Sequence, residues 1–171
     1  IAALQKTLPN CKIEWDDPAK ATTPQPAAAS KLFMHDPAFP QWMAQVQAMP
    51  AEQQIEAVSK KLMELNPGFD GNLMGDGLKG SPKIDNGIVY RLSFCSDHVV
   101  DISPVRAFTK LIYLGCYGSA DGKGSLADLS PLEGMHIGQV EFQFNKGGNR
   151  SCGGISKCIH QHVFVCLYKF F

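Results

Sequence analysis

Hydrophobic residues fall into two rhythms along this chain, one helical and one alternating, separated by stretches with neither. Between residues 36 and 68 they recur every three or four positions: Phe39, Trp42, Met43 and Val46 form one stripe, Ile55, Val58, Leu62 and Leu65 a second. That spacing predicts a hairpin of two amphipathic helices. Asp36-Pro37 supplies a start, Met49-Pro50 ends the first helix and opens the second with Pro50 at its first position, and Asn66-Pro67-Gly68 stops it. Glu56, Lys60 and Lys61 are expected on the exposed side, with Glu56 and Lys60 paired at i,i+4.

The alternating rhythm comes later and is said twice. Val89-Tyr90-Arg91-Leu92-Ser93-Phe94 leads to Asp101-Ile102-Ser103-Pro104-Val105; Leu111-Ile112-Tyr113-Leu114-Gly115-Cys116 leads to Asp128-Leu129-Ser130-Pro131-Leu132. The two turn phrases are offset by 27 residues and the two strands by 22; the extra five lie in a surface loop over residues 118–125. Leu92 and Phe94 point inward in the first copy, followed by Val99, Ile102, Val105 and Phe108. Leu114, Cys116, Leu129, Leu132 and Met135 answer them in the second. A repeat of this period implies units that bury their faces against their neighbours, each a strand followed by a short helical or 3₁₀ return. An Asp in such a turn accepts backbone N–H bonds and the Ser-Pro fixes the chain direction, so Asp101 and Asp128 read as architecture and not as a catalytic carboxylate pair. A third strand, Gln139-Val140-Glu141-Phe142-Gln143-Phe144, begins on schedule, but no third Asp-x-Ser-Pro follows.

The remaining stretches carry weaker patterns. Residues 1–17 read as a helix end closing into a short strand. Residues 18–35 form a Pro/Ala/Thr linker with too little apolar surface to offset the cost of ordering. Residues 69–86 are Gly-rich, with room for a short hairpin where Asp85-Asn86-Gly87 precedes the first clear strand. Residues 145–171 contain no Asp or Glu and end in an apolar, β-prone run, which is either a capping strand or a tail with no selected partner. The loss of pattern at one point favours the tail and is what a frameshifted or truncated reading frame would produce. The start at Ile1-Ala2-Ala3-Leu4, without Met or signal peptide, is what a fragment would show.

Composition adds little to this picture. Sixteen basic and sixteen acidic residues cancel, so no global field argues for nucleic acid or an anionic surface, and no apolar run is long enough for a membrane helix. The six Cys are irregularly spaced and read as free thiols, as in the cytoplasm; Cys95 and Cys116 fall just past corresponding strands, where a small buried residue is wanted. Cys152, Cys158, His160, His162 and Cys166 have the right types for zinc, but not the tight ligand pairs that zinc sites use. The loop phrase Gly122-Lys123-Gly124-Ser125 lacks the context of a phosphate loop, and Asp121 with Asp128 supplies too few oxygens for calcium. No cofactor and no metal are expected.

The repeat residues resemble leucine-rich repeats of the short bacterial, internalin-like kind, whose units end in Asp-x-Ser-Pro-Leu. Leu62-Met63-Glu64-Leu65-Asn66-Pro67-Gly68-Phe69-Asp70-Gly71, followed by Asp97-His98-Val99-Val100-Asp101-Ile102-Ser103-Pro104-Val105, resembles a recurrent C-terminal region of planctomycete-type multidomain proteins, many with a serine/threonine protein kinase domain upstream. Residues 4–16 resemble the closing unit of a separate leucine-rich array in such proteins. The resemblance covers residues 1–17 and about 36–144 and departs after Phe144. The kinase is not carried over: no phosphate-loop glycine motif opens a strand, no His-Arg-Asp loop occurs, and Phe69-Asp70-Gly71 is not the metal-binding Asp-Phe-Gly.

The expected fold class is α/β: a helical hairpin at 36–68, then a short leucine-rich repeat solenoid at 69–144. The expected function is non-catalytic binding of a protein, with no nucleic acid and no membrane span. The strand face would carry it through Tyr90, Arg91, Ser93, Tyr113 and Gly115, all read as exposed. The alternatives are a regulatory C-terminal part of a serine/threonine kinase whose catalytic domain lies outside this chain, and a relic with no function in isolation.

Overall fold

The two stripes form helices where their spacing places them, at Phe39–Gln47 (α1) and Ala51–Leu65 (α2) in this computed structural model, which describes residues 31–146 and 150–153. The readings over 1–17, over 18–30 and over the apolar end lie outside the described residues. Asp36 accepts the Ala38 N–H at 2.7 Å just before α1, and Pro40 sits in its first turn, where a missing N–H costs nothing. Pro50 is the residue preceding α2 and not its first. Phe39, Val46, Ala51, Val58 and Leu62 are buried. The ion pair on this hairpin is Lys61–Glu64 at 2.6 Å, in place of Glu56–Lys60. The Lys61 ammonium also lies 5.1 Å from the centre of the Phe33 ring. Phe33 belongs to a 3₁₀ turn, Phe33–His35, and meets Phe39 and Trp42 edge-on at 5.2 and 5.5 Å. Packed chain therefore extends into the stretch read as linker.

A five-stranded sheet follows, its strands side by side in chain order. Lys83–Asp85 (β1) and Ile88–Cys95 (β2) form an antiparallel hairpin. Its turn is Asn86-Gly87, both at positive φ (48° and 74°), the conformation tight hairpins prefer. Tyr113–Tyr117 (β3) and Gln139–Gln143 (β4) lie parallel to β2, and Arg150–Gly153 (β5) returns antiparallel along β4. The strand expected to reach Phe144 stops at Gln143, since Phe144 turns left-handed at φ 58°. The fold is mixed α/β, with these two helices and one open sheet among the described residues.

Alternation sets the two faces of the parallel strands. Leu92, Leu114 and Val140 align in one inward row, Phe94, Cys116 and Phe142 in the next. All six are buried, in one core with Val58 and Leu62 of α2 and with Val105, Phe108 and Leu132 from the returns. The returns are 3₁₀ turns, Ser103–Ala107 and Ser130–Leu132. Asp101 Oδ1 accepts the Ser103 N–H and Asp128 Oδ1 the Ser130 N–H, each at 2.8 Å, as the doubled phrase requires. Leu129 and Met135, the counterparts of buried Ile102 and Phe108, are only half-buried.

Two sequence readings need correction. Residues 118–125 are a surface loop only at their tip, because Gly118 and Gly124 are buried. Their N–H groups bond the carbonyls of Gln143 and Phe144, each at 2.9 Å, which ties the insertion to β4. Cys95 and Cys116 are not equivalent. Cys116 aligns with Phe94 in the core, whereas Cys95 aligns with Tyr117 on the outer face. Both thiols are free.

Candidate functional site

The outward positions of β2, β3 and β4 line up in three rows: Arg91, Tyr113, Gln139; then Ser93, Gly115, Glu141; then Cys95, Tyr117, Gln143. A bulge opposite Lys83 shifts the register of β1 on β2 by one residue. Val89 and Leu92 are thus both buried, and Tyr90 and Arg91, though adjacent, are both partly exposed.

Three of the five positions read as exposed are in fact buried: Ser93, Tyr113 and Gly115. The cause is the Gly-rich segment before the sheet. Met74 exchanges both backbone hydrogen bonds with Ser93, each at 2.8 Å. The Ser93 hydroxyl donates to the Gly75 carbonyl and accepts the Leu78 N–H at 3.2 Å. Residues 74–78 therefore strap the outer face of β2, with Gly77 and Leu78 at positive φ. Arg91 pairs with Asp76 of this strap, and its guanidinium carbon lies 4.4 Å from the centre of the Tyr113 ring. Gly115 is closed over by the Tyr117 ring, which any Cβ there would strike.

Tyr113 and Tyr117 bring their hydroxyls to 2.5 Å. Tyr117 donates to Glu141 Oε2, and the Tyr113 hydroxyl is 3.1 Å from the same oxygen. Glu141 Oε1 accepts from the Gln139 amide at 2.8 Å. Burial, and then the neighbouring carboxylate, push the Tyr117 phenol far up; burial also raises Tyr113. Both stay protonated donors across the physiological range. Tyr117, Gln139, Glu141 and Gln143 were missed by the sequence reading, although the same alternation extended by one residue on β3, and carried onto β4, finds all four.

A hollow of about 130 Å³ lies past the end of β2, lined by Gly68, Phe69, Asp70, Cys95, Asp97 and His98. Burial holds the Cys95 thiol above its ordinary range, so at neutral pH it is a protonated, poor nucleophile. Asp97, beside the Cys95 thiol, accepts the Ser119 N–H at 2.8 Å and its hydroxyl at 2.5 Å. Among the described residues no three His, Cys, Asp or Glu side chains converge to hold a metal ion. Of the Cys/His cluster in the tail, only the Cys152 backbone is described, paired with Val140. No helix among the described residues is long and apolar enough to cross a membrane. Comparison of the chain with protein-family models, with curated proteins and with solved structures finds no match.

Proposed function

We propose that residues 36–144 form a non-catalytic protein-interaction module. In this reading they are a short solenoid of leucine-rich repeat type, headed by the helical hairpin, that takes a protein partner on the outer face of β2, β3 and β4. The observation that carries it is the row-by-row alignment of outward side chains on three parallel strands, held in place by the twice-repeated Asp turn. The face offers Arg91, Gln139, Glu141 and Gln143, at least partly exposed, around the buried rings of Tyr113 and Tyr117. Arg is among the side chains enriched where binding energy concentrates at protein interfaces. The protonated Cys95 thiol also favours binding over catalysis.

The test is a selection of random displayed peptides on the full chain, with the bound site mapped by amide chemical shifts. Selected peptides are expected to shift Arg91, Tyr117, Gln139, Glu141 and Gln143 and to weaken on Gln143→Ala. A footprint confined to α1, α2 or the 3₁₀ turns would overturn the reading.

A further inference from the structure

We propose that the outer sheet face reads an arginine side chain of its partner, seated against Glu141 beside Tyr117. This rests on the docking reading above and names what that face selects. The chain already makes one such contact with itself. The Arg91 guanidinium sits 4.4 Å from the centre of the Tyr113 ring and pairs with the Asp76 carboxylate. Along the same face Glu141 supplies a second carboxylate, half-exposed, and among the described residues no guanidinium pairs with it. The ion pairs among the described residues are Lys61–Glu64 and Arg91–Asp76, and neither involves Glu141.

The two oxygens of Glu141 are not alike. Oε2 is enclosed by the hydroxyls of two buried tyrosines, which fix the plane of the carboxylate. Oε1 is held only by the amide of Gln139, an exposed residue. A guanidinium arriving from solvent replaces that neutral donor with a charged one. Charge-assisted hydrogen bonds are shorter and stronger than neutral ones, and a carboxylate already fixed in place has little freedom left to lose. Arginine suits the place better than lysine, since its guanidinium is more weakly hydrated than an ammonium and gives up less to reach a half-buried carboxylate.

The experiment titrates the isotope-labelled full chain with the capped peptide Gly-Gly-Arg-Gly-Gly and with its Lys, Gln and Glu versions. The Arg peptide is expected to shift the side-chain signals of Glu141 and Tyr117 saturably. That binding should weaken with added salt and fall about five-fold or more on Glu141→Gln, as loss of a partly exposed ion pair implies. Gln139→Ala, which frees Oε1, should keep or strengthen it. If Glu141→Gln disturbs the inward row of Leu92, Leu114 and Val140, the salt and Gln139→Ala arms decide. A Gln or Glu peptide that shifts the same signals equally overturns charge recognition and leaves the docking reading standing. An equal Lys peptide overturns the preference for a guanidinium. An Arg peptide that moves only other surfaces, or none, overturns the inference, and the docking reading then stands or falls on the peptide-selection footprint.

Discussion

Asp101 and Asp128 occupy the same place in two copies of one turn, and each holds the N–H two residues ahead at 2.8 Å. Beyond that bond the two diverge. Asp101 is buried, accepts the Phe33 N–H at 2.7 Å and the Ser103 hydroxyl at 2.6 Å, and Ser103 in turn accepts the Met34 N–H at 3.0 Å. Buried Asn66, at the end of α2, grips the same turn. It donates to the Asp101 carbonyl at 2.9 Å and accepts the N–H groups of Val100 and Asp101 at 2.8 and 2.9 Å. Asp128 is exposed. Its turn is held from the first copy instead, by Arg106 donating to the carbonyls of Pro131 and Glu133 at 2.6 and 2.8 Å. The repeated phrase sets the local backbone, and the neighbours decide how much stability rests on it.

Paired substitutions in the full chain test that division by chemical denaturation. The largest contrast is in the returns: Phe108→Ala, in the core, should cost about 4 kcal/mol, against about 1 kcal/mol for half-buried Met135→Ala. Equal costs would mean that the second return packs as tightly as the first. Asn66→Ala leaves buried backbone groups of the first turn unpaired and should cost about 3 kcal/mol, with no counterpart in the second. Asp101→Ala should cost about 2 kcal/mol, because three donors lose their acceptor away from water, and Asp128→Ala only about 0.5 kcal/mol.

The smallest effect is at the contact where the copies hold each other directly. Asp97 and Ser119, each two residues past its strand, are joined by bonds that hold the Asp97 carboxyl below its usual range. A depressed folded value means that this contribution is whole above the ordinary carboxylate range and is lost as pH falls through the depressed one. Ser119→Ala should therefore lower the melting temperature slightly at neutral pH, leave the acid end nearly unchanged, and so flatten the profile between them.

Much of the fold was legible because periodicity reports burial directly. The stripes of α1 and α2, the inward rows of β2 and β3 and the hairpin at Asn86-Gly87 all follow from spacing or turn chemistry. The burial of Ser93, Tyr113 and Gly115 was not legible, because the strap that covers Ser93 has no rhythm of its own. It is held by backbone bonds to Ser93 and by one side-chain pair, Asp76–Arg91, 15 residues apart. Glu141 was missed for a different reason: its role depends on which residues the register places opposite it. The third strand reads correctly in isolation, and only the alignment of Gly115 with Glu141 lets the two tyrosine hydroxyls reach its carboxylate.

The strands at the two ends of the sheet run against the three in the middle. Repeat proteins lengthen over evolutionary time by duplicating whole units, and a new unit must offer its neighbour a strand of matching direction. Here a duplicated unit finds parallel neighbours only between β2 and β4, since beyond β1 or β5 it would meet a reversed strand and lose the inward rows of Leu92 and Phe94 as its template. The short β1, with Pro82 and Lys83 at its start, also offers little edge for another chain to extend. Among the described residues the reversed flanks thus confine parallel pairing to β2, β3 and β4.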